Sequence, residues 1–180
     1  MLSPEGRVIW ITGLSGAGKT TLARALLPHL PQPRLLLDGD EMREALNLLA
    51  GGYEAESRKR LAYTYSRLCK LAADQETTVV CATISMFHEV RKWNRLHLPG
   101  YFEVYLEASD EVRKCRDHKR VYHDAPGPVV GRSIQPELPL HPDLCFQQGG
   151  LAVETMVDKL ISILQGGTGM AVAPSDQETL

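Results

Sequence analysis

A glycine-rich octapeptide near the amino terminus holds the residues best suited to chemistry. It runs from Gly13 to Thr20 and matches the pattern G-x-x-x-x-G-K-[ST] at every fixed position. Glycines there let backbone N–H groups turn inward around phosphate oxygens, and a following helix adds its positive N-terminal end. We expect Lys19 to bridge the β- and γ-phosphates of a nucleoside triphosphate and the Thr20 hydroxyl to bind Mg²⁺.

The alternative is a chance glycine loop, which the apolar strand before it and the helix after it argue against. The predicted ATP-binding residues in and beside this loop are Gly13, Leu14, Ser15, Gly16, Ala17, Gly18, Lys19, Thr20 and Thr21. The expected cofactors are ATP and Mg²⁺.

Two carboxylates, Asp38 and Asp40, follow a second apolar stretch. At the carboxyl end of a parallel strand they would lie on the same side of the sheet as the phosphate loop. We predict that Asp40 is the general base and a Mg²⁺ ligand beside Thr20, and that Asp38 acts at the metal or behind its ligands. Both carboxylates are also predicted to bind the acceptor. An ordinary strand-to-helix turn, with Asp40 as N-cap, is the alternative.

Several further side chains could bind an anionic acceptor. Arg43 lies one turn beyond Asp40, and Arg58 is the first of five arginines that could hold a phosphate, with Arg60, Arg67, Arg91 and Arg95. For any one arginine, a solvated helix face is the favoured alternative. Ile84 and Ser85, at the end of a third apolar stretch, are predicted to bind the acceptor, and Ser85 is a predicted catalytic residue with Asp40 and Lys19. Ser85 could hydrogen-bond a substrate phosphate or cap the next helix.

A basic stretch from 116 to 123 opens an irregular, proline-rich segment that extends to about 142. Long segments of this kind in compact domains are usually functional or disordered. We predict a lid over the nucleotide, with Arg116 and Lys119 adding positive charge to the transferring phosphoryl group. A basic, solvated helix end is the alternative.

The elements that would position these residues alternate along the chain. Strands are predicted at 8–12, 34–37, 77–83, 101–106 and 144–147, and helices at 19–27, 40–49, 56–73, 87–96, 109–117 and 151–164. This alternation predicts an α/β fold: a three-layer parallel sheet flanked by helices, as in P-loop nucleoside triphosphate hydrolases and kinases. We expect one domain over 1–164, with a disordered tail at 165–180.

The composition supports an enzyme with a sizeable core. Apolar residues make up 43% of 180 residues, and the formal net charge is −2, which argues against bulk nucleic-acid binding. No apolar run approaches the roughly 20 residues of a membrane span, so no membrane partner is expected. A cytoplasmic location and four reduced, mostly buried cysteines are predicted. The sequence leaves open whether the chain forms a homodimer.

Taken together, these motifs resemble the adenylylsulfate (APS) kinase family of P-loop kinases. The likeness covers about residues 7–164 and rests on Gly13 to Thr21, Leu37 to Asp40 with Arg43, Arg58, Ile84-Ser85, and the lid entrance at Arg116, Lys119 and Tyr122. The resemblance implies transfer of the γ-phosphate of ATP to the ribose 3′-hydroxyl of a nucleotide whose 5′-phosphate carries another group. In APS that group is sulfate.

Departures from the family pattern are concentrated on the acceptor side. The family's Asn and two Arg after Arg58 are replaced by Arg60 to Thr64, and its Ser-Pro-Tyr-Arg becomes Ser85 to His88. The stretches 65–70 and 82–87 look closer to a divergent branch of the family, some members of which act on cytidine diphosphate-type conjugates such as cytidine diphosphoramidate. A small sugar or metabolite kinase remains open as well. A regulatory P-loop NTPase is also open, although we find neither an N-K-x-D base-recognition motif nor a D-x-x-G switch.

Overall fold

The computed structural model describes residues 6–47, 55–115, 130–131, 133–149 and 151–166. Five strands are seen in that part of the chain: β1 Arg7–Gly13, β2 Arg34–Asp38, β3 Thr78–Thr83, β4 Phe102–Glu107 and β5 Leu144–Gln147. The helices are α1 Lys19–Leu26, α2 Gly39–Ala45, α3 Ala55–Ala73, α4 His88–His97, α5 Asp110–Cys115 and α6 Val153–Gly166.

The strands form one sheet in the order β2-β3-β1-β4-β5, and every neighbouring pair is parallel. All five carboxyl ends therefore lie along one edge. Since β3 separates β2 from β1, the turn after β2 must reach past the end of β3 to contact the loop after β1. This arrangement confirms the predicted three-layer α/β fold.

Both faces of the sheet are buried, which explains why its central strands are apolar at successive positions. In β1, Ile9 and Ile11 pack with α1 and α6, whereas Val8 and Trp10 pack with α3 on the other face. All four side chains are fully buried. Burying each contributes on the order of 1.5–3 kcal/mol relative to exposure.

The predicted elements are all present, and the differences lie at their ends. The helix after β1 ends at Leu26, where Leu27–His29 continue as a 3-10 turn that accommodates Pro28. The last helix begins at Val153 and extends to Gly166, two residues into the predicted tail. Residues 167–180 lie outside the described part, as do 48–54.

The prediction for the cysteines was half wrong. Cys69 and Cys81 are buried, but Cys115 and Cys145 are exposed, and all four thiols are free. Cys145 is on β5, which is an edge strand of the sheet, so alternate side chains on it face outward. Within the described residues, no helix is long and apolar enough to cross a membrane.

Candidate functional site

The loop between β1 and α1 has the shape of a phosphate cradle. Gly16 and Gly18 have φ angles of +77° and +86°, values that favour glycine. A Cβ at Gly16 would lie 2.8 Å from the carbonyl oxygen of Arg113, so a side chain there would also collide with α5. Glycine is thus required at Gly16 for both backbone conformation and space.

Lys19 begins α1 and folds back over the loop. Its Nζ donates a hydrogen bond of 2.9 Å to the carbonyl oxygen of Leu14, and the N–H of Ala17 donates to the same oxygen at 3.2 Å. The ammonium group therefore lies against the loop whose backbone would surround a phosphate. This placement fits the role that the sequence predicts for Lys19.

The two aspartates after β2 have different environments. Asp38 is buried, and its Oδ2 accepts a 2.6 Å hydrogen bond from the hydroxyl of Thr20. Its Oδ1 accepts one of 3.0 Å from the backbone N–H of Asp40, so Asp38 caps α2. Asp40 is exposed at the start of that helix. The N-cap of α2 is therefore Asp38, so the alternative in which Asp40 is the N-cap is wrong.

The end of β3 places Ser85 at the same edge of the sheet. Its φ angle is +30°, which is unusual for a residue with a side chain. The hydroxyls of Thr83 and Ser85 are hydrogen-bonded at 2.9 Å, and the Thr12 hydroxyl donates to the carbonyl oxygen of Ile84 at 2.6 Å. The N-cap of α4 is Phe87, and no side chain of its own turn caps the helix, so Ser85 is not the cap.

Arg43 lies close enough to Arg58 to affect the protonation of Arg58. The pKa of Arg58 is lowered, first by burial and then by the positive charge of Arg43. Tyr65 lies in the same region, where its hydroxyl donates a 3.1 Å hydrogen bond to the carbonyl oxygen of Gly39. Burial raises the pKa of Tyr65 to about 12, and Arg43 opposes that shift. Two neighbouring guanidinium groups in a partly buried position favour an anion.

The other candidate arginines have structural roles. Arg91 and Arg95 form ion pairs with Glu103, and Arg67 lies over the ring of Tyr63 at 5.7 Å. Arg60 is exposed on α3. Of the five arginines, Arg58 is influenced by the charge of Arg43.

The predicted lid contacts cannot be placed, because Arg116 and Lys119 lie outside the described residues. Beyond them, the chain returns to the phosphate loop at Gly131. A Cβ on Gly131 would be 2.7 Å from Cδ1 of Leu14 and 3.1 Å from the Arg113 guanidinium. This contact joins the phosphate loop to the segment that leads back to β5.

Other residues of the site were missed by sequence reasoning. Thr12 and Thr83 fix the strand ends through their hydroxyls, and Tyr65 supports the turn at Gly39. Their positions on β1, β3 and one helix face looked like ordinary core. A cavity of about 300 Å³ also opens beyond β4 and β5, lined by Glu107, Ala108, Ser109, Gln147 and Gln148. In the sequence, the one feature that could have indicated this cavity is that its lining residues lie at or just after the ends of two predicted strands.

The residues present fit a nucleoside triphosphate with Mg²⁺. The loop after β1 offers a glycine cradle that side chains would obstruct, Lys19 lies over it, and Thr20 and Asp38 present oxygen ligands of the kind Mg²⁺ prefers. A parallel sheet with this loop and an acidic strand end define an ATP-dependent P-loop phosphotransferase.

Comparison with known proteins gives the family. The sequence profile of the adenylylsulphate kinase family matches residues 5–147. An adenylyl-sulfate kinase of Paraburkholderia xenovorans is 36% identical over 172 residues, which cover 91% of this chain and 96% of that protein. The chain belongs to the adenylylsulphate kinase family, and the enzyme is an ATP-dependent kinase.

Two further similarities bear on the acceptor. A cytidine diphosphoramidate kinase of Campylobacter jejuni is 39% identical over 121 residues, covering 66% of this chain and 70% of that protein. An APS kinase of Mycobacterium tuberculosis, solved in complex with AMPPNP and APS, superposes with a TM-score of 0.78 and 28% identity. That superposition covers 91% of this chain and 99% of the other.

Proposed function

We propose that the protein transfers the γ-phosphate of ATP to the ribose 3′-hydroxyl of a nucleotide with a substituted 5′-phosphate, APS being the first candidate. The observation that carries the proposal is the hydrogen bond from the Thr20 hydroxyl to the Asp38 carboxylate. It brings the acidic turn after β2 to the phosphate loop, so an acceptor beside Asp40 would face the donor. The pair Arg43 and Arg58 then offers an anion site on the acceptor side.

On the donor side, the backbone N–H groups of the loop bind the phosphates and Lys19 neutralises charge on the transferring group. Thr20, with Asp38 behind its hydroxyl and Asp40 nearby in sequence, holds Mg²⁺. When bound, ATP with Mg²⁺ supplies the activated phosphoryl group. We further propose that Arg116 and Lys119 contact ATP from a lid at about 116–142.

On the acceptor side, Asp40 takes the proton from the attacking hydroxyl. Its exposure at the start of α2 leaves it accessible to a substrate, unlike the buried Asp38. Arg43 and Arg58 bind the substituted phosphate, and Ser85 with the Ile84 backbone hydrogen-bonds it from the end of β3. These residues contribute to catalysis mainly by positioning the two substrates and by stabilising charge on the transferring phosphoryl group.

A second candidate acceptor is a cytidine diphosphate conjugate such as cytidine diphosphoramidate. The identity of 39% to the Campylobacter jejuni kinase favours it, together with the replaced acceptor-side motifs after Arg58 and at Ser85. The chemistry would be the same, while the base and the 5′ substituent would differ.

The test is phosphate transfer from ATP to a panel of acceptors. APS, cytidine diphosphoramidate, other nucleotide conjugates, simple sugars and no acceptor would be compared, with Lys19→Ala as the inactive control. A ribose 3′-phosphate product located by NMR would support the proposal. Turnover on a sugar without a nucleobase, or hydrolysis that no acceptor stimulates, would contradict it.

Three coarser features accompany this proposal. We place the enzyme in the cytoplasm, where ATP is available, and expect one kinase domain over 1–164. A homodimer is the assembly to be tested by light scattering with size-exclusion chromatography. A monomer mass across the working concentration range would contradict the dimer.

A further inference from the structure

Helix α4 is fastened to the segment 137–143 by two arginines one turn apart. Arg91 Nη2 donates hydrogen bonds to the carbonyl oxygens of Glu137 at 2.6 Å and Leu138 at 3.1 Å. Arg95 donates to the carbonyl oxygen of His141 at 2.8 Å and to the Asp143 carboxylate at 3.2 Å. The segment is thus attached along the length of the helix.

Both arginines rest on one buried carboxylate. Glu103 on β4 is 2% exposed; its Oε2 accepts from Arg95 Nη2 at 3.0 Å, and its Oε1 lies 3.7 Å from Arg91 Nε. Burial lowers the pKa of Arg91, while the charge of Glu103 opposes that shift. Removing one partner of a buried pair of this kind is destabilising, because the other charge is left uncompensated.

The amino terminus of α4 receives its cap from the same segment. Phe87 cannot cap the helix through its side chain, and the backbone N–H of His88 instead donates to the Glu137 carboxylate. Arg91 Nη2 also contacts His88 Nδ1 at 2.7 Å. A carboxylate at this end satisfies an otherwise unpaired N–H and complements the helix dipole.

Ser85 lies three residues before His88, in a backbone conformation that needs support. With φ at +30°, it persists only where its surroundings hold it. On the sheet side, the Thr83 hydroxyl contacts the Ser85 hydroxyl, and the Thr12 hydroxyl holds the carbonyl oxygen of the preceding Ile84. On the other side, the Phe87 N–H donates to the Ser85 carbonyl oxygen at 3.0 Å, and α4 begins directly afterwards. The position of α4 therefore determines where the Phe87 N–H lies, and this N–H is the second group that holds Ser85.

We infer that Glu137 and Arg91 are positioning residues that hold Ser85 in the orientation required by the acceptor. The inference rests on the proposed function, because it takes Ser85 as an acceptor contact. Neither residue needs to touch the substrate, since both act through the start of α4. Glu137 is exposed, so its side chain can be changed without disturbing the core.

The test compares Glu137→Ala with Glu137→Gln, using the acceptor that the wild type phosphorylates. Loss of a helix cap predicts that Glu137→Ala lowers kcat/KM for the acceptor by about five- to tenfold, with KM for ATP within about twofold. Glu137→Gln keeps a side-chain oxygen for the His88 N–H and is expected to recover most of that loss. A role in stability alone would lower Tm in Glu137→Ala and leave the acceptor kinetics unchanged.

Arg95→Met is the matched control. Arg95 contacts Glu103 as Arg91 does, but its other contacts are with His141, Asp143 and the ring of Tyr101. We expect a lower Tm with acceptor kinetics close to wild type, whereas Arg91→Met should impair both. Equal losses of acceptor kcat/KM in the two arginine variants would overturn the inference.

Hydrogen exchange supplies a readout that needs no substrate. Faster exchange of the amides of residues 85–91 in Glu137→Ala, with rates in β1 unchanged, would support the positioning role. Unchanged exchange together with unchanged acceptor kinetics would overturn it. If the wild type phosphorylated no acceptor while exchange still responded, the structural link would stand and the proposed function would fail.

Discussion

The hydroxyl of Thr20 donates a 2.6 Å hydrogen bond to Oδ2 of Asp38, which lies 18 residues further along the chain. Thr20 belongs to the phosphate loop and Asp38 to the turn after β2, and β3 lies between their strands. The same carboxylate caps α2 through the N–H of Asp40. One buried side chain thus contacts both Thr20, the proposed metal ligand, and the backbone of Asp40, the proposed base.

Asp38→Asn is expected to weaken the response to Mg²⁺. The amide keeps the shape and one acceptor, but it loses the charge behind the Thr20 hydroxyl. Changes of partners behind a metal ligand typically cost about 10–100-fold in metal affinity or activity. The Mg²⁺ dependence of turnover measures the effect, and an unchanged half-saturating Mg²⁺ concentration would remove Asp38 from the metal site.

Asp40→Asn should reduce turnover by at least about a hundredfold, the usual contribution of a general base. ATP affinity should remain near wild type, because the carboxylate acts on the acceptor hydroxyl. Binding measured by calorimetry, alongside steady-state kcat, separates the two. Loss of ATP binding equal to the loss of turnover would instead assign Asp40 chiefly to Mg²⁺.

Arg58→Met should raise KM for the acceptor by about tenfold or more, given the strength of hydrogen bonds to charged groups. KM for ATP should change little, because Arg58 is proposed to lie with Arg43 on the acceptor side. Arg67→Met is the matched control on the same helix, since that side chain lies over Tyr63. Similar kinetics in the two variants would show that Arg58 is no substrate contact.

Gly131→Ala is expected to weaken ATP binding. The new Cβ would be 2.7 Å from Leu14 and would sit at a φ of +85°, so the phosphate loop or its neighbour must shift. Displacement costing about 1–3 kcal/mol corresponds to a loss of affinity of roughly five- to 150-fold. Gly166→Ala, where a Cβ meets nothing within 4 Å, is the control. Equal ATP affinity in both variants would contradict the expectation.

Tyr65 predicts a loss of stability at alkaline pH. Its pKa is raised from 10.0 to about 12 in the folded state, so between these values the unfolded chain loses the proton that the folded chain keeps. Stability then falls as pH rises through this window. Between pH 8 and pH 11, the urea midpoint of unfolding should fall less in Tyr65→Phe than in the wild type. Parallel decreases in the two proteins would contradict this role.

The sequence by itself was enough to predict the fold class and the donor half of the site. Alternating apolar stretches specify a parallel sheet, and the loop from Gly13 to Thr20 carries its chemistry within eight consecutive residues. Backbone conformation and helix position follow locally there, so neighbouring residues suffice. The order of the elements was right throughout, with errors only at their ends.

The acceptor side depended on contacts between distant residues. Only the strand order places Asp38 against Thr20, puts Arg58 rather than Arg91 beside Arg43, and brings Glu137 to the start of α4. Each of these pairs joins different elements, whose relative positions are set by packing of the whole sheet. A local pattern can identify a helix or a loop, but it cannot say which charges will meet across the fold.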